Sequence, residues 1–457
     1  MIYKKNVEKI YLLFLFSHLI IWTAIPTFSN INLPLDTIEA LAWGSNLDWG
    51  FNKHPPLSAF FVEIFYKLFG SQDWAFYLLS QIFIIVAFIA IFKLSFELLE
   101  DKVLALISIL LLESIFFYNF TTPEFNVNIS QIPFWALSLY FAWKCIKFNN
   151  YIHFILLGIF FGLGLLSKYL FVYLIFGIKF LFLYFCFKEK KIYFINILIT
   201  GFITLIILIP HLIWLFENNF STLVYALKRT GGVGTFKDHI IFPSIFVIKQ
   251  IGILIPFFIM CFFLSNKFSF KKFSKNKKMI FLYFTVLTPI ILMILTSLIM
   301  GAKIRTMWMT PFYLALGTIT ILSIKKSIDL KKIKKFYYIF AFFFALSHAT
   351  YLAMSLLDDQ KRTDYPGKEI SRLVQNKWDD NFTNEIKIVV GDEWSAGNLS
   401  YHLNSRPIWM NDLKNNLINI RDDQGVIYTG NPKILKKVCP GVFGTIRPVG
   451  YCMIGKR

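Results

Sequence analysis

The sequence predicts a mainly α-helical, polytopic membrane protein with a small extracytoplasmic α/β domain at its C-terminal end. Apolar stretches of roughly 20 residues, the length that crosses a bilayer, recur as far as residue 356, and residues 357–457 are polar instead. Hydrophobic residues make up 56% of the 457 residues and charged residues only 16%, whereas a soluble protein has roughly 25% charged residues. This composition excludes a soluble enzyme, a secreted disulfide scaffold and a disordered protein.

Eleven membrane spans are predicted. They lie near residues 10–28, 74–93, 103–119, 131–147, 151–166, 169–187, 192–215, 241–264, 279–299, 307–324 and 336–356. Residues 1–356 therefore form a membrane domain, in which residues 29–73 are the first extracytoplasmic loop. The first span is too long for a signal-peptide core and follows a basic end, so it is expected to be retained with the N-terminus in the cytoplasm.

The net charge of +20 indicates membrane orientation rather than nucleic-acid binding, because the lysines cluster in short loops between apolar stretches. The three clusters are Lys188, Lys190 and Lys191; Lys267, Lys271, Lys272, Lys275, Lys277 and Lys278; and Lys325, Lys326, Lys331, Lys332, Lys334 and Lys335. Alternating through eleven spans places all three in the cytoplasm and the C-terminal domain in the periplasm of a bacterial inner membrane. Membrane lipid is an expected partner and nucleic acid is not.

The segment 357–457 has the pattern of a small soluble domain. Residues 386–390 and 425–429 are typical of strands, and a turn at 391–393 precedes a short helix at 395–403. Cys439 and Cys452 lie in this segment, on the side of the membrane where a disulfide persists. The two cysteines are therefore either bonded to each other or two free thiols.

The first external loop contains the residues that most clearly indicate a catalytic or binding site. Asp36 and Glu39 are three residues apart, so on a helix they share one face. Such a pair can bind a divalent cation such as Mg²⁺ or Mn²⁺, or one of them can take a proton from a hydroxyl group. The alternative is an ordinary carboxylate pair at the start of a surface helix. Further along, two prolines after Lys53 and His54 fix the backbone, which would present both side chains at the level of a lipid phosphate.

The sequence resembles bacterial members of the glycosyltransferase 39/83 superfamily, which are relatives of protein O-mannosyltransferases, lipid A aminoarabinose transferases and rhizobial galacturonosyltransferases. The motifs that carry the resemblance are the Asp36/Glu39 pair, Lys53-His54-Pro55-Pro56-Leu57, Thr121-Thr122-Pro123-Glu124-Phe125-Asn126, Gly162 to Tyr169 with Ser167-Lys168, Arg305-Thr306-Met307-Trp308-Met309-Thr310-Pro311, and Gly391-Asp392-Glu393-Trp394 with Ser405-Arg406-Pro407. Together they extend over most of the chain.

The resemblance implies a GT-C fold and the inverting transfer of a sugar from a polyprenyl-phosphate donor outside the cytoplasmic membrane. It implies catalytic roles for Asp36, Glu39 and Glu124, with Asp36 and Glu39 as the candidate metal ligands. Which of Asp36 and Glu39 is the base stays open, because two residues separate them where the commoner family pattern has adjacent acids; Asp36 is favoured. The residues expected to hold the donor phosphate are Lys53, His54, Lys168 and Arg305, and further candidates for the cavity are Asn126, His211 and Trp308.

Several alternatives remain at this point. A flippase for a lipid-linked substrate would use intramembrane ionisable groups, of which Glu113 and Lys179 are examples. A third possibility is a catalytically silent scaffold whose tail binds an envelope partner. For a transferase, the acceptor is lipid A or lipopolysaccharide, another envelope glycan, or a protein. Lys228, Arg229 and Lys237, beside Gly231 and Gly232, form either a phosphate-side loop or a solvated turn.

Overall fold

The computed structural model of the chain describes residues 6–189, 193–231, 235–265, 276–329, 332–358, 360–411 and 424–457. Residues up to 358 form a bundle of helices. In chain order these are α1 (Val7–Ser29), α2 (Leu35–Gly44), α3 (Leu57–Phe69), α4 (Asp73–Leu99), α5 (Lys102–Leu110), α6 (Val127–Phe148), α7 (Tyr151–Ser167), α8 (Val172–Glu189), α9 (Phe194–Glu217), α10 (Ser221–Arg229), α11 (Asp238–Phe262), α12 (Lys277–Leu282), α13 (Thr288–Met300), α14 (Leu316–Ile324) and α15 (Ile333–Leu357).

The chain is a multi-pass membrane protein. Within the described ranges, seven segments are long and apolar enough to cross a membrane. They are Val7–Ser29, Asp73–Leu99, Tyr169–Lys188, Phe194–Glu217, Asp238–Phe262, Lys277–Met300 and Ile333–Leu357. An eighth candidate is the pair Thr306–Tyr313 and Leu316–Ser327, which is bent by 54°. The predicted count of eleven spans is therefore not reached by these criteria.

The difference comes from the third to fifth predicted spans. α5 ends at Leu110, and short 3₁₀ turns replace the rest of the predicted span 103–119. In this stretch the side-chain amide of Asn119 donates to the backbone carbonyl of Glu113, so a side chain replaces part of the helical hydrogen bonding. α6 occupies the fourth predicted position, but it buries polar residues such as Asn128 and Gln131 among neighbouring helices, which lowers its apolar character. α7, in the fifth position, is a shorter apolar helix of 17 residues.

Contacts between helix ends place Lys278 and Lys325 of the lysine clusters at the end of the bundle remote from the first loop, since Lys278 pairs with Glu100 (2.5 Å) and Lys325 donates to the carbonyl of Leu99. At that end Lys102 pairs with Glu8 (2.5 Å). At the other end Asn30 bonds to Tyr351 (3.1 Å). Seven of the clustered lysines fall outside the described residues: Lys190, Lys191, Lys267, Lys271, Lys272, Lys275 and Lys331. The assignment of the lysine end to the cytoplasm stays a prediction.

The described part of the tail, residues 360–411 and 424–457, contains a five-stranded mixed sheet and three α-helices. These elements are α16 (Gly367–Asp379), β1 (Ile388–Val390), α17 (Ser395–His402), β2 (Ile408–Met410), β3 (Val426–Gly430), α18 (Pro432–Val438), β4 (Val442–Ile446) and β5 (Val449–Ile454). The strand order is β2-β1-β3-β5-β4; β1 is parallel to β2 and β3, and β5 is antiparallel to β3 and β4. Cys439 and Cys452 form a disulfide that ties the end of α18 to β5.

The tail packs firmly on the two helices of the first loop. The Arg406 guanidinium donates to the carbonyl of Leu41 and to the carboxylate of Glu63, both at 2.7 Å, and lies over the ring of Tyr66. Gly397 on α17 faces α2 so closely that an added Cβ would lie 3.1 Å from Ile38. The tail therefore forms one wall of the space above α2.

Candidate functional site

A cavity of about 650 Å³ lies where α2, the 53–55 turn, the α7–α8 break, α10, the segment before residue 308 and the tail meet. Its charged lining residues are Asp36, Glu39, Lys53, Lys168, Arg229, Arg305, Arg362, Asp392 and Glu393. Its other lining residues include His54, Asn128, Tyr169, Tyr173, Tyr225, Trp308 and Trp394. The wall therefore combines carboxylates, cations and aromatic rings at the end of the bundle that contains the first loop.

Two carboxylates enter the cavity from α2. Asp36 and Glu39 line it from the first turns of this helix, as their spacing predicts. Glu124 lies behind Asp36 instead of on the cavity wall and accepts a hydrogen bond from the backbone amide of Asp36 (3.1 Å). A helix leaves its first amides without intrahelical partners, so a carboxylate there stabilises the helix start. Glu124 thus supports the start of α2 directly behind Asp36, and the catalytic role predicted for it stays a prediction.

Lys53 is shared between two carboxylates. Its ammonium forms ion pairs with Glu39 of α2 and with Glu393 of the tail, the latter at 3.1 Å. The turn that contains Lys53 is closed by the Phe51 amide, which donates to the His54 carbonyl (3.1 Å). Pro55 and Pro56 then lead directly into α3, so the prolines fix the path as predicted.

Lys168 reaches the cavity because α7 ends at Ser167 and the chain becomes extended at residue 168. Its ammonium donates to the side-chain carbonyl of Asn128 and lies 5.3 Å from the ring centre of Trp308. The sequence motifs that contain Lys168 and Trp308 therefore meet in space, and Asn128 completes their contact. Sequence reasoning did not select Asn128, although it lies two residues beyond the Glu124 motif.

Three arginines complete the positive side of the cavity. Arg305 was predicted there, and Arg229 also lines the cavity, whereas Lys228 and Lys237 from the same stretch are exposed and do not line it. Arg362, which follows α15, was not predicted. None of the three has a carboxylate partner within 4.0 Å among the described residues. They are therefore free to bind an anion.

The carboxylates and the cations influence one another strongly. Burial raises the pKa of Asp36, while the charges of Lys168, Lys53, Arg305 and Arg362 oppose that rise. Burial and the neighbouring Asp36 raise the pKa of Glu124 to about 8. Asp36 is the carboxylate that faces four cations, so at neutral pH we assign the negative charge to Asp36 and the proton to Glu124.

The other titrating groups are shifted as well. Burial raises the pKa of Glu39 to about 7 against the pull of Lys53, and burial lowers the pKa of Lys168 to about 7. Burial together with Lys168, Lys53 and Arg229 lowers the pKa of His54 to about 3, so this imidazole is neutral and acts as a polar contact instead of a cation. Burial alone would lower the pKa of Lys53, but Glu39 and Glu393 outweigh it and raise that pKa.

Two predicted cavity residues lie elsewhere. The Asn126 side chain caps α6 by accepting from the amides of Asn128 (2.9 Å) and Ile129 (3.2 Å). His211 bonds to the Tyr169 hydroxyl and to the Trp49 carbonyl, both at 2.6 Å. Both side chains are therefore used in fixing the backbone around the cavity, and neither is among the residues that line it.

The charged groups predicted inside the membrane domain are accommodated in different ways. Glu113 bonds to His18 at 2.9 Å within the buried core of the bundle, and Lys179 lies on an apolar groove between α8 and α9.

Among the described residues, no group of three or more His, Cys, Asp and Glu side chains is arranged to hold a metal ion. The Lys53 ammonium occupies one oxygen of Glu39, so the Asp36/Glu39 pair is a poor fit to a cation, and the metal prediction stays untested.

The chain has close structural likenesses at low sequence identity. ArnT from Cupriavidus metallidurans bound to undecaprenyl phosphate matches with a TM-score of 0.66 and 12% identity, over 96% of this chain and 97% of that chain. Apo ArnT from the same organism matches with a TM-score of 0.63 and 10% identity, over the same shares. This chain has the GT-C fold. The predicted fold class is thereby confirmed.

Two further comparisons also give matches. The sequence model of the family described as dolichyl-phosphate-mannose-protein mannosyltransferase matches residues 53–214. An archaeal oligosaccharyltransferase, AglB from Archaeoglobus fulgidus in complex with an inhibitory peptide and a dolichol-phosphate, matches at 10% identity and a TM-score of 0.45, over 91% of this chain and 69% of that chain. No curated protein matches the chain in sequence.

Proposed function

We propose that this GT-C protein is a glycosyltransferase that moves a sugar from a polyprenyl-phosphate donor to an acceptor outside the cytoplasmic membrane. One observation carries the proposal: a single cavity combines the carboxyl group of Asp36 with Lys53, Lys168 and Arg305. The donor's lipid tail must lie in the bilayer while its sugar phosphate lies at the interface, and the cavity lies at that end of the apolar helices. The membrane concerned is a bacterial inner membrane with the tail domain in the periplasm.

The residues divide the reaction between them. Asp36 accepts the proton of the acceptor hydroxyl as its oxygen attacks the anomeric carbon of the sugar. The bond between that carbon and the phosphate oxygen breaks, and polyprenyl phosphate leaves with the electron pair. Lys168 and Arg305, together with Lys53, stabilise the negative charge that develops on this phosphate. The single displacement inverts the anomeric carbon.

The acceptor is an envelope glycan, a lipid such as lipid A, or a protein, and these share the hydroxyl or phosphate oxygen that the mechanism needs. Asp392 and Trp394 of the tail line the same cavity. They therefore face the side from which an acceptor would approach. No step requires a metal ion.

The test compares wild type with Asp36→Asn in membranes supplied with labelled polyprenyl-phosphate sugars and envelope extract. The release of free polyprenyl phosphate should fall by about 100-fold or more in the variant, because general-base catalysis contributes at least that much. Glu100→Gln, at the lysine end of the bundle on an exposed side chain, is the matched control and should keep full activity.

Three outcomes would change the proposal. Equal turnover by Asp36→Asn would remove Asp36 from the chemistry and direct attention to Glu39. Loss of turnover in EDTA that is restored by Mg²⁺ or Mn²⁺ would add a metal to the site. Transbilayer movement of the lipid without turnover of any donor would replace the transferase with a flippase.

A further inference from the structure

The Lys53 ammonium carries one positive charge and forms ion pairs with two carboxylates. It contacts Glu39 and lies 3.1 Å from Glu393. The side chains of the three residues are 29%, 12% and 17% exposed for Lys53, Glu39 and Glu393, so water screens them only partly. If Lys53 binds the donor phosphate, as the proposed function requires, a third anion must approach the same ammonium.

Of the two carboxylates, Glu393 is the one that can leave. Glu39 is fixed on α2 and makes the closer contact with Lys53. Glu393 lies in the short turn between β1 and α17, where it lines the candidate cavity on one side and a second cavity of about 640 Å³ on the other. The second cavity is also lined by side-chain amides, which can donate to a carboxylate. Asn46 and Asn218 each already donate to a backbone carbonyl, so among the described residues Asn52 and Asn411 are the amides that remain available to Glu393. The Asp48 carboxylate on the same wall accepts a hydrogen bond from the Trp214 ring.

Hydrogen bonds and ring packing hold the other residues of this turn in place. Glu393 can therefore move away from Lys53 by rotating its own side chain alone. The Asp392 carboxylate accepts from the backbone amides of Trp394 (2.9 Å) and Ser395 (2.7 Å) and so caps α17. The Trp394 ring packs against Tyr365 at 5.2 Å between ring centres. Rotation of Glu393 into the second cavity requires neither contact to break.

We propose that Glu393 is a positioning residue that competes with lipid-linked phosphate for Lys53, holding the ammonium when the site is empty and turning into the second cavity when phosphate is bound. The inference deepens the proposed function by assigning a role in product release. Polyprenyl phosphate, a monoester, carries more negative charge than the diester donor, so a cationic site without a competitor would retain the product. The return of Glu393 to Lys53 helps to displace it.

The experiment measures the dissociation constant of polyprenyl phosphate for the full chain in nanodiscs, together with inhibition of turnover by added polyprenyl phosphate. Glu393→Gln should bind polyprenyl phosphate about tenfold more tightly, because a like charge beside the phosphate is removed. Product inhibition should strengthen by a similar factor. A carboxylate that served only to hold the tail in place would weaken binding when removed, so the direction of the change separates the two roles.

Two further variants keep the result interpretable. Glu393→Asp, whose shorter side chain cannot reach Lys53 as well, should change affinity in the same direction as Glu393→Gln. Glu369→Gln, an exposed glutamate of the same tail domain, should leave affinity unchanged. Affinity that is unchanged or weaker in both Glu393 variants would overturn the inference.

Lys53→Gln separates this inference from the proposed function. If Lys53 binds the phosphate, Lys53→Gln should weaken binding of polyprenyl phosphate by about tenfold or more, since a charge-assisted hydrogen bond is lost. Unchanged affinity in Lys53→Gln would instead contradict the phosphate role of Lys53 itself.

Discussion

At the scale of single residues, the site is defined by which groups are charged at neutral pH. Burial raises the pKa of Asp36 while the charges of several cations oppose that rise, and burial raises the pKa of Glu124, which lies behind Asp36 and supports the start of α2, to about 8. His54, in the Lys-His-Pro-Pro turn, is neutral because burial and three nearby cations lower its pKa. The positive charge of the cavity therefore comes from lysine and arginine, and among these burial lowers the pKa of Lys168 to about 7.

The shifted pKa of Lys168 gives a pH prediction. Burial lowers this pKa to about 7, so the amine loses its charge as pH rises from about 6 to about 9. Affinity for a polyprenyl-phosphate sugar, whose phosphodiester keeps one negative charge throughout, should therefore fall over this range. In Lys168→Arg the guanidinium stays charged and the fall should be weaker. Dissociation constants measured against pH test this; parallel curves for the two proteins would contradict it.

At the scale of elements, α2 and α3 form a tight pair that fixes the carboxylates. The chain has glycine at position 44 because α2 and α3 approach there without room for a side chain. A Cβ at Gly44 would lie 2.9 Å from the Ala59 carbonyl oxygen and 3.1 Å from Cβ of Glu63. The same Glu63 accepts the hydrogen bond of Arg406, so this contact links both helices to the tail.

Gly44→Ala should accordingly destabilise the protein by about 1–3 kcal/mol, because overpacking forces α2 and α3 apart. Gly201→Ala is the matched control, since no heavy atom lies within 4 Å of a Cβ at that position of α9. The control should be neutral or slightly stabilising, as alanine favours a helix more than glycine does. The midpoint of thermal inactivation in detergent measures both variants, and equal midpoints would refute the packing argument.

At the scale of the whole molecule, the tail is part of the site and not an appendage. Glu393 and Trp394 line the cavity, and Arg406 fixes the tail on the first loop through a carboxylate whose side chain is only 7% exposed. The tyrosine hydroxyl of Tyr401 donates to Asp73 at the start of α4 (2.6 Å). The tail is therefore held at several points around the entrance to the bundle.

Arg406→Gln should loosen this contact, because removing one partner of a buried ion pair costs about 3–5 kcal/mol. Hydrogen exchange at the amides of α17 and α2 should become faster together, and transferase activity should fall. Arg372→Gln, on an exposed face of α16, should change neither. Faster exchange in α17 alone would mean that the tail and α2 are not coupled.

Patterns within the sequence predict most of the fold. Apolar length located the long helices, and the short strands near 388 and 426 lay where β-rich segments were expected. The break after α5 was missed, because it depends on side-chain contacts such as the one between Asn119 and Glu113 that no local pattern reveals. The two helices of the first loop were not delimited either, since they are shorter than a membrane span.

The candidate site was predicted where motifs supply the residue types, as for Asp36, Lys53 and Lys168. Arg362 and Asn128 were missed because isolated residues gain their role only from the three-dimensional arrangement. Asn126 and His211 lie in segments next to the cavity, but their side chains bond to nearby backbone groups and do not line it. Sequence spacing identifies a segment near a site, and only the fold determines which way each side chain points.

The pairing of the first loop with the tail also has a consequence for biosynthesis. Asn32 bonds to Asn398 across 366 positions of the chain, and the cavity wall needs residues from both segments. A ribosome that has finished the helical bundle has therefore not yet made a complete binding site. The cavity is therefore assembled only after the tail has been translated and has packed onto the first loop.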